Sequence, residues 1–185
     1  AAALDTMVEK ELKPLKMERA RFKTEIKQAT PNELGLDSVV FTISTNSGSK
    51  FGSLMKIASG GELSRFLLAL KVCLTHDQKG VSLVFDEIDR GIGGATADAV
   101  GRRLLKLAEK DAQVLVVTHS PQVAALAERH FVVSKVIEDG KTISRVKKIK
   151  GRDCVEEIAR MISGDRITDE ARDASRVLIS GASNT

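Results

Sequence analysis

Two short apolar runs constrain the fold of this chain more than any other feature of its sequence. The segments VSLVF (81–85) and QVLVVT (113–118) are almost continuously apolar, which is typical of strands buried within a parallel sheet. A helical pattern lies between them, and its apolar positions are Val100, Leu104 and Leu107. A strand, a helix and a strand in this order predict an α/β fold, with a mainly parallel sheet flanked by helices.

The remaining segments predict helices and strands before and after this unit. Residues 1–13 have helical periodicity, and Pro14 ends the pattern. The pair Asp139-Gly140 is a typical two-residue turn and predicts a hairpin between two strands. The other predicted elements are strands over 20–26 and 38–45 and helices over 62–75 and 169–179.

Composition narrows the classes of protein that this chain can belong to. The sequence is 42% hydrophobic and 29% charged, and no apolar run approaches the roughly 20 residues that a membrane helix needs. The N-terminal residues lack the pattern of a signal peptide. Two cysteines, Cys73 and Cys154, are too few for a disulfide framework or a zinc site. We therefore expect a cytoplasmic protein without a membrane partner.

Two adjacent acids follow the first apolar strand. Asp86 and Glu87 come directly after VSLVF, where ligands of open α/β sheets bind. This is the Walker B pattern, in which the first acid holds Mg²⁺ and the second polarises a water that attacks a phosphorus atom. The plain alternative is a pair of acids that only solvate a loop. His119 follows the second apolar strand, where it can donate to a γ-phosphate or simply cap a helix.

A pair of glycines opens the helix before these strands. In KIASGGELSRFLLALK, residues Ser59, Gly60 and Gly61 stand at the helix N-terminus. Free backbone N–H groups and the helix dipole form an anion site there, and the missing side chains let a phosphate approach closely. The alternative is a flexible turn that happens to precede a helix.

Three segments in this order resemble the ABC-type heads of SMC-like ATPases, and most closely the RecN family of bacterial DNA repair proteins. They are ASGGELSR, LVFDEIDRGIGG and VLVVTHSPQVAALAERH, and FTISTNSG and EEIARMISGDRIT are also similar. The resemblance covers about residues 15–178. The general ABC signature carries Leu where this chain has Ala58.

The resemblance implies a role for each matching residue. Ser59, Gly60, Gly61 and Glu62 match the signature that contacts the γ-phosphate of ATP held by the opposite protomer. Asp86 matches the acid that holds Mg²⁺, Glu87 the general base, and His119 the switch histidine. Asp89 matches the acid of the D-loop, which lies across the dimer interface.

The sequence lacks the phosphate-binding P-loop, G-x-x-x-x-G-K-[ST], that such an ATPase needs. KVIEDGKT (135–142) begins with Lys and is predicted to be a hairpin, so it does not qualify. GIGGAT (91–96) is not a dinucleotide fingerprint, because its sixth position is Thr96. In SMC-like proteins the P-loop lies in an N-terminal half, which a long coiled coil separates from the C-terminal half.

We therefore predict the C-terminal lobe of an ABC-type head. Residues 1–14 are expected to be the end of a coiled-coil arm, and residues 15–185 the lobe itself. The expected partners are an N-terminal half with the P-loop, a second head in a homodimer, and DNA. The family resemblance implies Mg²⁺-dependent ATP hydrolysis in double-strand break repair by recombination, at the nucleoid. Alone, the chain should bind ATP poorly.

Other functions remain open at this level. The head could be that of a different SMC-like chromosome-organising ATPase. A non-catalytic lobe could instead bind a partner chain or DNA through the basic segment 144–152, although Val146 and Ile149 interrupt its charge. A helicase is disfavoured because helicases lack the upstream Ser-Gly-Gly-Glu. Arg65 is expected to have a structural role rather than to bind phosphate.

Overall fold

A computed structural model gives the fold of the chain. It describes residues 1–33, 35–54, 60–75, 80–109 and 112–182. The chain divides into two compact units, Ala1–Thr118 and His119–Thr185. No helix within the described ranges is both long and apolar enough to cross a membrane.

The first unit begins with helix α1 (Ala2–Leu12), which packs on the sheet that follows it. Val8 and Leu12 are fully buried on one side of α1. On the same helix, the Asp5 carboxylate accepts hydrogen bonds from the Thr24 backbone N–H at 2.9 Å and the Thr24 hydroxyl at 2.7 Å. The predicted helix over 1–13 is therefore confirmed, and it is anchored to the unit by both apolar and polar contacts.

An antiparallel sheet follows, with strands β1 (Arg21–Asn32), β2 (Gly35–Ser44) and β3 (Gly52–Ser53) in that order. The register places Phe22 opposite Ile43, and both side chains are buried. The Phe22 ring lies 5.5 Å from Phe41 and 5.2 Å from Phe66, measured between ring centroids. Phe66 belongs to helix α2 (Gly60–Leu74), so this aromatic cluster joins the sheet to α2.

The predicted strand–helix–strand unit is confirmed. Strands β4 (Ser82–Asp86) and β5 (Gln113–Val117) pair in parallel, and helix α3 (Gly94–Ala108) connects them and packs on β5. Phe85 is buried on one face of this pair of strands. The other face carries exposed apolar side chains, which are Val84, Leu115 and Val117.

The sequence predicted a mainly parallel sheet, and the structure differs from this prediction. Among the described residues, parallel pairing is confined to β4 and β5, and the other two sheets are antiparallel. The reason is the length of the connections. In the sequence, β2 begins three positions after the end of β1, and β7 begins three positions after the end of β6; strands this close along the chain can pair only in the antiparallel direction. The α/β class itself is correct.

The second unit contains a hairpin and three helices. Strands β6 (His130–Glu138) and β7 (Lys141–Ile149) form the predicted hairpin, and Asp139 and Gly140 have φ values of +49° and +74° in its turn. The helices are α4 (Pro121–Ala124), α5 (Arg152–Ser163) and α6 (Asp169–Ala182). Arg172 of α6 donates to Glu156 of α5 at 2.9 Å, which joins these two helices.

Candidate active site

The residues singled out in the sequence lie at the ends of three elements. Gly60, Gly61 and Glu62 form the first turn of α2, and Asp86 ends β4 and is followed by Glu87. His119 comes two residues after the end of β5. Ser59, the first residue of the signature, lies outside the described residues, as does Ala58.

The two glycines have different surroundings. A Cβ added at Gly61 would lie 2.9 Å from Ile92 Cγ2, 3.2 Å from the Gly91 oxygen and 3.3 Å from the Arg90 oxygen. A Cβ added at Gly60 would have no described atom within 4 Å, and Gly60 is exposed. The close approach that Gly61 permits is therefore made by the chain's own 90–92 turn, whereas none of the described residues fills the space beside Gly60.

Asp86 lies at the carboxyl end of β4, opposite Val117 of β5, and is exposed. Its carboxylate is of the type that Mg²⁺ prefers. Within the described ranges, no group of three or more His, Cys, Asp or Glu side chains could hold a metal ion. A magnesium ion at Asp86 would therefore take fewer than three of its ligands from such side chains in this part of the chain, and water and phosphate would supply others.

Glu87 has an unusual backbone conformation. Its φ is +51°, in the left-handed region that residues other than glycine rarely adopt. The Glu87 oxygen accepts from the Arg90 N–H at 3.1 Å, and the Glu87 carboxylate lies 3.1 Å from the Arg90 guanidinium. Its side chain is 64% exposed. Such strain is concentrated at functional sites, and at Glu87 it coincides with an exposed carboxylate directly after the strand.

Asp89 is buried within the first unit. It is 0% exposed, and its Oδ2 accepts a hydrogen bond from the Thr118 hydroxyl. This bond ties the loop after β4 to the residue directly before His119. The contact across a dimer interface that we expected of Asp89 stays a prediction, because the carboxylate is used here inside its own unit.

His119 is the first residue of the second unit, and it is exposed. Its backbone follows Thr118 directly, so the Asp89–Thr118 hydrogen bond holds the chain at the point where His119 begins. Ser120, the next residue, is buried and donates from its hydroxyl to Gln122 at 2.9 Å.

Arg65 has the structural role that the sequence predicted. Its Nε donates to the Gly61 oxygen at 3.2 Å, and its Nη1 donates to the Leu15 oxygen at 3.1 Å and the Lys16 oxygen at 3.4 Å. These acceptors are all main-chain carbonyls. The guanidinium therefore fastens the first turn of α2 to the turn that follows α1.

Two residues near these loops were missed in the sequence. Thr118 holds Asp89, and its only signal was a hydroxyl at the end of an apolar strand. Lys71 of α2 donates to the Val84 oxygen at 3.3 Å, and its Nζ lies 4.8 Å from the centroid of the Phe85 ring. A lysine within an amphipathic helix gives no sequence signal of such a contact with a strand.

Known proteins resemble this chain both in sequence and in fold. The DNA repair protein RecN of Rickettsia prowazekii (strain Madrid E) is 48% identical over 180 residues, which are 97% of this chain and 32% of that protein. RecN of Bacillus subtilis (strain 168) is 39% identical over 198 residues, with 98% and 34% covered. The chain thus spans about a third of the length of the curated relatives it matches. No family model matches it.

Solved SMC heads have the same fold. The Smc head domain with a coiled coil and joint from Pyrococcus yayanosii has a TM-score of 0.66 at 18% identity, covering 85% of this chain and 28% of that one. A chain from work on the ATP-driven dimerization and DNA-stimulated activation of SMC ATPases has a TM-score of 0.60, also at 18% identity, with 89% and 94% covered. The fold is that of an SMC head, and the chain corresponds in sequence to the C-terminal part of the RecN DNA repair proteins.

Proposed function

We propose that this chain is the C-terminal lobe of an ABC-type ATPase head in a RecN-like protein. The whole protein would hydrolyse ATP with Mg²⁺, dimerise its heads around ATP, and act in double-strand break repair by recombination. One observation carries the proposal. Asp86 and Glu87 stand at the carboxyl end of a parallel strand, both are exposed, and Glu87 has a left-handed backbone.

The proposed roles follow from the position of each group. Bound ATP and Mg²⁺ supply the phosphoryl group and the charge that stabilises its transfer. Asp86 would hold the metal, and the exposed carboxylate of Glu87 would accept a proton from the attacking water. Ser59, Gly60, Gly61 and Glu62 would present the N-terminus of α2 to the ATP of the opposite head. His119 would donate a hydrogen bond to the γ-phosphate.

The exposed apolar face of strands β4 and β5 supports the proposal that an N-terminal half packs on this lobe. Parallel sheets are normally covered on both faces. Here Val84 and Val117 are 58% and 59% exposed, although they lie on strands whose other face is buried. The chain spans only about a third of its curated relatives, and its sequence has no P-loop. We propose that the half with the P-loop covers this face, and that the chain alone binds ATP weakly.

The remaining assignments belong to the same proposal. Residues 1–14 would be the end of a coiled-coil arm, and residues 15–185 the lobe. The whole protein would work in the cytoplasm at the nucleoid, with a second head and DNA as partners. The names of the RecN relatives support a place in DNA repair.

A partner-binding lobe without catalysis is the second candidate. The β6–β7 hairpin favours it, because Phe131, Val133, Ile137 and Val146 are exposed on one of its faces. In its basic strand, Arg145 pairs with Glu138 and Lys147 lies 3.5 Å from Asp153, which leaves less free charge for DNA than the sequence alone indicates.

A mixing experiment on the full-length protein tests the ATPase. Ser59→Arg and Glu87→Gln are made separately, and ATP turnover is measured for each variant and for an equal mixture. In a head-to-tail dimer, each variant alone has two inactive sites, whereas a mixed dimer keeps one intact site. With free exchange, half of the dimers are mixed, so turnover should recover to roughly a quarter of the wild-type value.

The outcomes separate the two candidates. Recovery in the mixture supports a signature that serves the neighbouring head. Inactive variants that do not recover, with exchange confirmed, would mean that Ser59 acts on the ATP of its own chain. If Glu87→Gln turns over ATP at the wild-type rate, the catalytic proposal fails and the partner-binding lobe is preferred.

A further inference from the structure

We propose that Arg65 and the Glu11–Arg103 ion pair are positioning residues. They connect the end of α1 to helices α2 and α3, and so they hold the first turn of α2 and the 90–92 turn in place. The proposal rests on the function given above, because it assigns these residues to the same ATPase site. None of the three belongs to the groups proposed to touch ATP or Mg²⁺.

The first of these contacts is made by the Arg65 guanidinium, which connects α2 to the turn after α1. Its Nη1 reaches two carbonyls of the turn after α1, those of Leu15 and Lys16, while its Nε remains on the Gly61 oxygen. Lys16 has φ +61°, and Leu15 is fully buried, so this turn is held in a specific conformation. The guanidinium is planar and its donors have a fixed arrangement, which a flexible lysine cannot reproduce.

The second of these contacts is the Glu11–Arg103 pair. The Arg103 Nε donates to Glu11 Oε2, and the two side chains are only 12% and 20% exposed. Glu11 lies in the last turn of α1, and Arg103 lies in α3. The pair therefore joins the end of α1 to α3 by a partly buried contact, and removing one partner would leave the other charge uncompensated.

The two fastened helices also meet at their loops. α2 begins at Gly60, and α3 begins at Gly94, directly after the segment that contains Asp86, Glu87 and the 90–92 turn. The missing side chain of Gly61 lets the first turn of α2 lie against that 90–92 turn. α1, α2 and α3 therefore form a closed set of contacts within one unit. We therefore expect a displacement of α1 to reach the first turn of α2 or helix α3, and through the Gly61 contact the 90–92 turn, because packed elements do not deform continuously.

Hydrogen exchange and ATP turnover of the full-length protein test this inference. The variants are Arg65→Met, which keeps the aliphatic stem, and Arg65→Lys. Arg102→Met is the matched control, since Arg102 neighbours Arg103 on α3 and the ion pair described for it is with Asp98 of the same helix. The measured amides are those of Arg90 and Ile92, which bond the carbonyls of Glu87 and Asp89. They are separated from Arg65 by the Gly61 contact.

We expect Arg65→Met to accelerate exchange of the Arg90 and Ile92 amides by at least about tenfold, and Arg102→Met to leave it unchanged. The kcat for ATP should fall by about tenfold or more while KM changes by less than about threefold, since the arginine does not touch ATP. Arg65→Lys should not rescue either quantity. Exchange and kcat equal to those of Arg102→Met would overturn the inference.

The ion pair provides a second test in case Arg65→Met does not fold. Glu11→Arg and Arg103→Glu are made singly and together, and the double variant restores the pair with its charges reversed. Recovery of loop protection and kcat along with the folded state supports the inference, and a folded double variant with unprotected loops overturns it. If the wild-type protein turns over no ATP, the proposed function fails, but the exchange data still decide whether these residues hold the loops.

Discussion

The first turn of α2 has a glycine on each of two sides, and the surroundings of these two glycines differ. The outer side, at Gly60, is exposed and has no described atom within 4 Å of an added Cβ. The inner side, at Gly61, is filled by the 90–92 turn of the same chain. Gly61 thus permits packing, whereas the described residues leave the space beside Gly60 unfilled, and we propose that a phosphate binds there. The Ser-Gly-Gly-Glu pattern combines both requirements in neighbouring residues.

The largest effect is expected on the outer side, from Gly60→Glu in the full-length protein. The new carboxylate would stand where a phosphate is proposed to bind, and the two negative charges would repel each other. ATP turnover should fall by about 100-fold or more, which corresponds to about 2.7 kcal/mol. The folded state should keep or gain stability, because a negative charge at a helix N-terminus is favourable.

Gly60→Gln is the matched control for this change, since it adds similar bulk without the charge. It should lose less turnover than Gly60→Glu. The outer side would not be a phosphate site if both variants turned over ATP at the wild-type rate while remaining folded.

The next effect is expected on the inner side, from Gly61→Ala. The added methyl group would lie 2.9 Å from Ile92 Cγ2 and 3.2 Å from the Gly91 oxygen, and the backbone oxygen can yield only if the turn shifts. We expect the free energy of unfolding to fall by about 1–3 kcal/mol. Gly60→Ala is the control and should change it by less than about 0.5 kcal/mol. Denaturant unfolding of both variants measures the difference, and equal stabilities would contradict the contrast between the two sides.

These contrasts also show which features were predictable. The order of elements followed from periodicity: 81–85 and 113–118 formed a parallel pair, and Asp139-Gly140 formed a hairpin turn. The sequence also predicted that Asp86 and Glu87 lie at the carboxyl end of β4, because residues that directly follow a parallel strand lie at that edge of the sheet.

Features set by contacts distant in sequence could not be predicted in the same way. The neighbour of Gly61 lies some thirty positions away, as does the partner of Asp89, and neither leaves a periodic signal. The left-handed backbone of Glu87 is imposed by its turn and contradicts the intrinsic preference of the residue. The expectation of a mainly parallel sheet was wrong because it extended the parallel pairing of 81–85 and 113–118 to other strands, two pairs of which are joined by connections too short for parallel pairing.

A smaller effect on the free energy of unfolding is expected at Thr118, which follows the end of β5 and contacts the loop that contains the 90–92 turn through Asp89. Thr118→Val removes the hydroxyl that donates to buried Asp89 and keeps the size of the side chain. Loss of one hydrogen bond to a buried acceptor should lower the free energy of unfolding by about 1–3 kcal/mol. Thr118→Ser keeps the donor and is the control. The valine and serine variants would be equally stable if this bond did not hold the loop.

The smallest expected effect is a pH dependence of the free energy of unfolding, which is due to the buried Cys73 of α2. Burial, and secondarily the negative charge of Glu11, raises the pKa of the Cys73 thiol from 9.0 to about 11. Below pH 9 the thiol is protonated in both the folded and unfolded chain. Between pH 9 and 11 the unfolded chain loses this proton while the folded chain keeps it, so the free energy of unfolding falls as the pH rises. At pH 10 the loss should be about 1 kcal/mol relative to pH 8.

Cys73→Ala isolates this contribution from the titration of other groups. The variant is less stable at every pH because it loses buried volume, but its stability should decline less between pH 8 and pH 10 than that of the wild type. Denaturant unfolding of both chains at the two pH values gives the comparison. A decline of the same size in the variant would mean that the thiol ionises as readily in the folded chain as in the unfolded one. The inner side of α2 would then be open to water near Cys73, and the contrast between the two sides of the helix would be confined to its first turn.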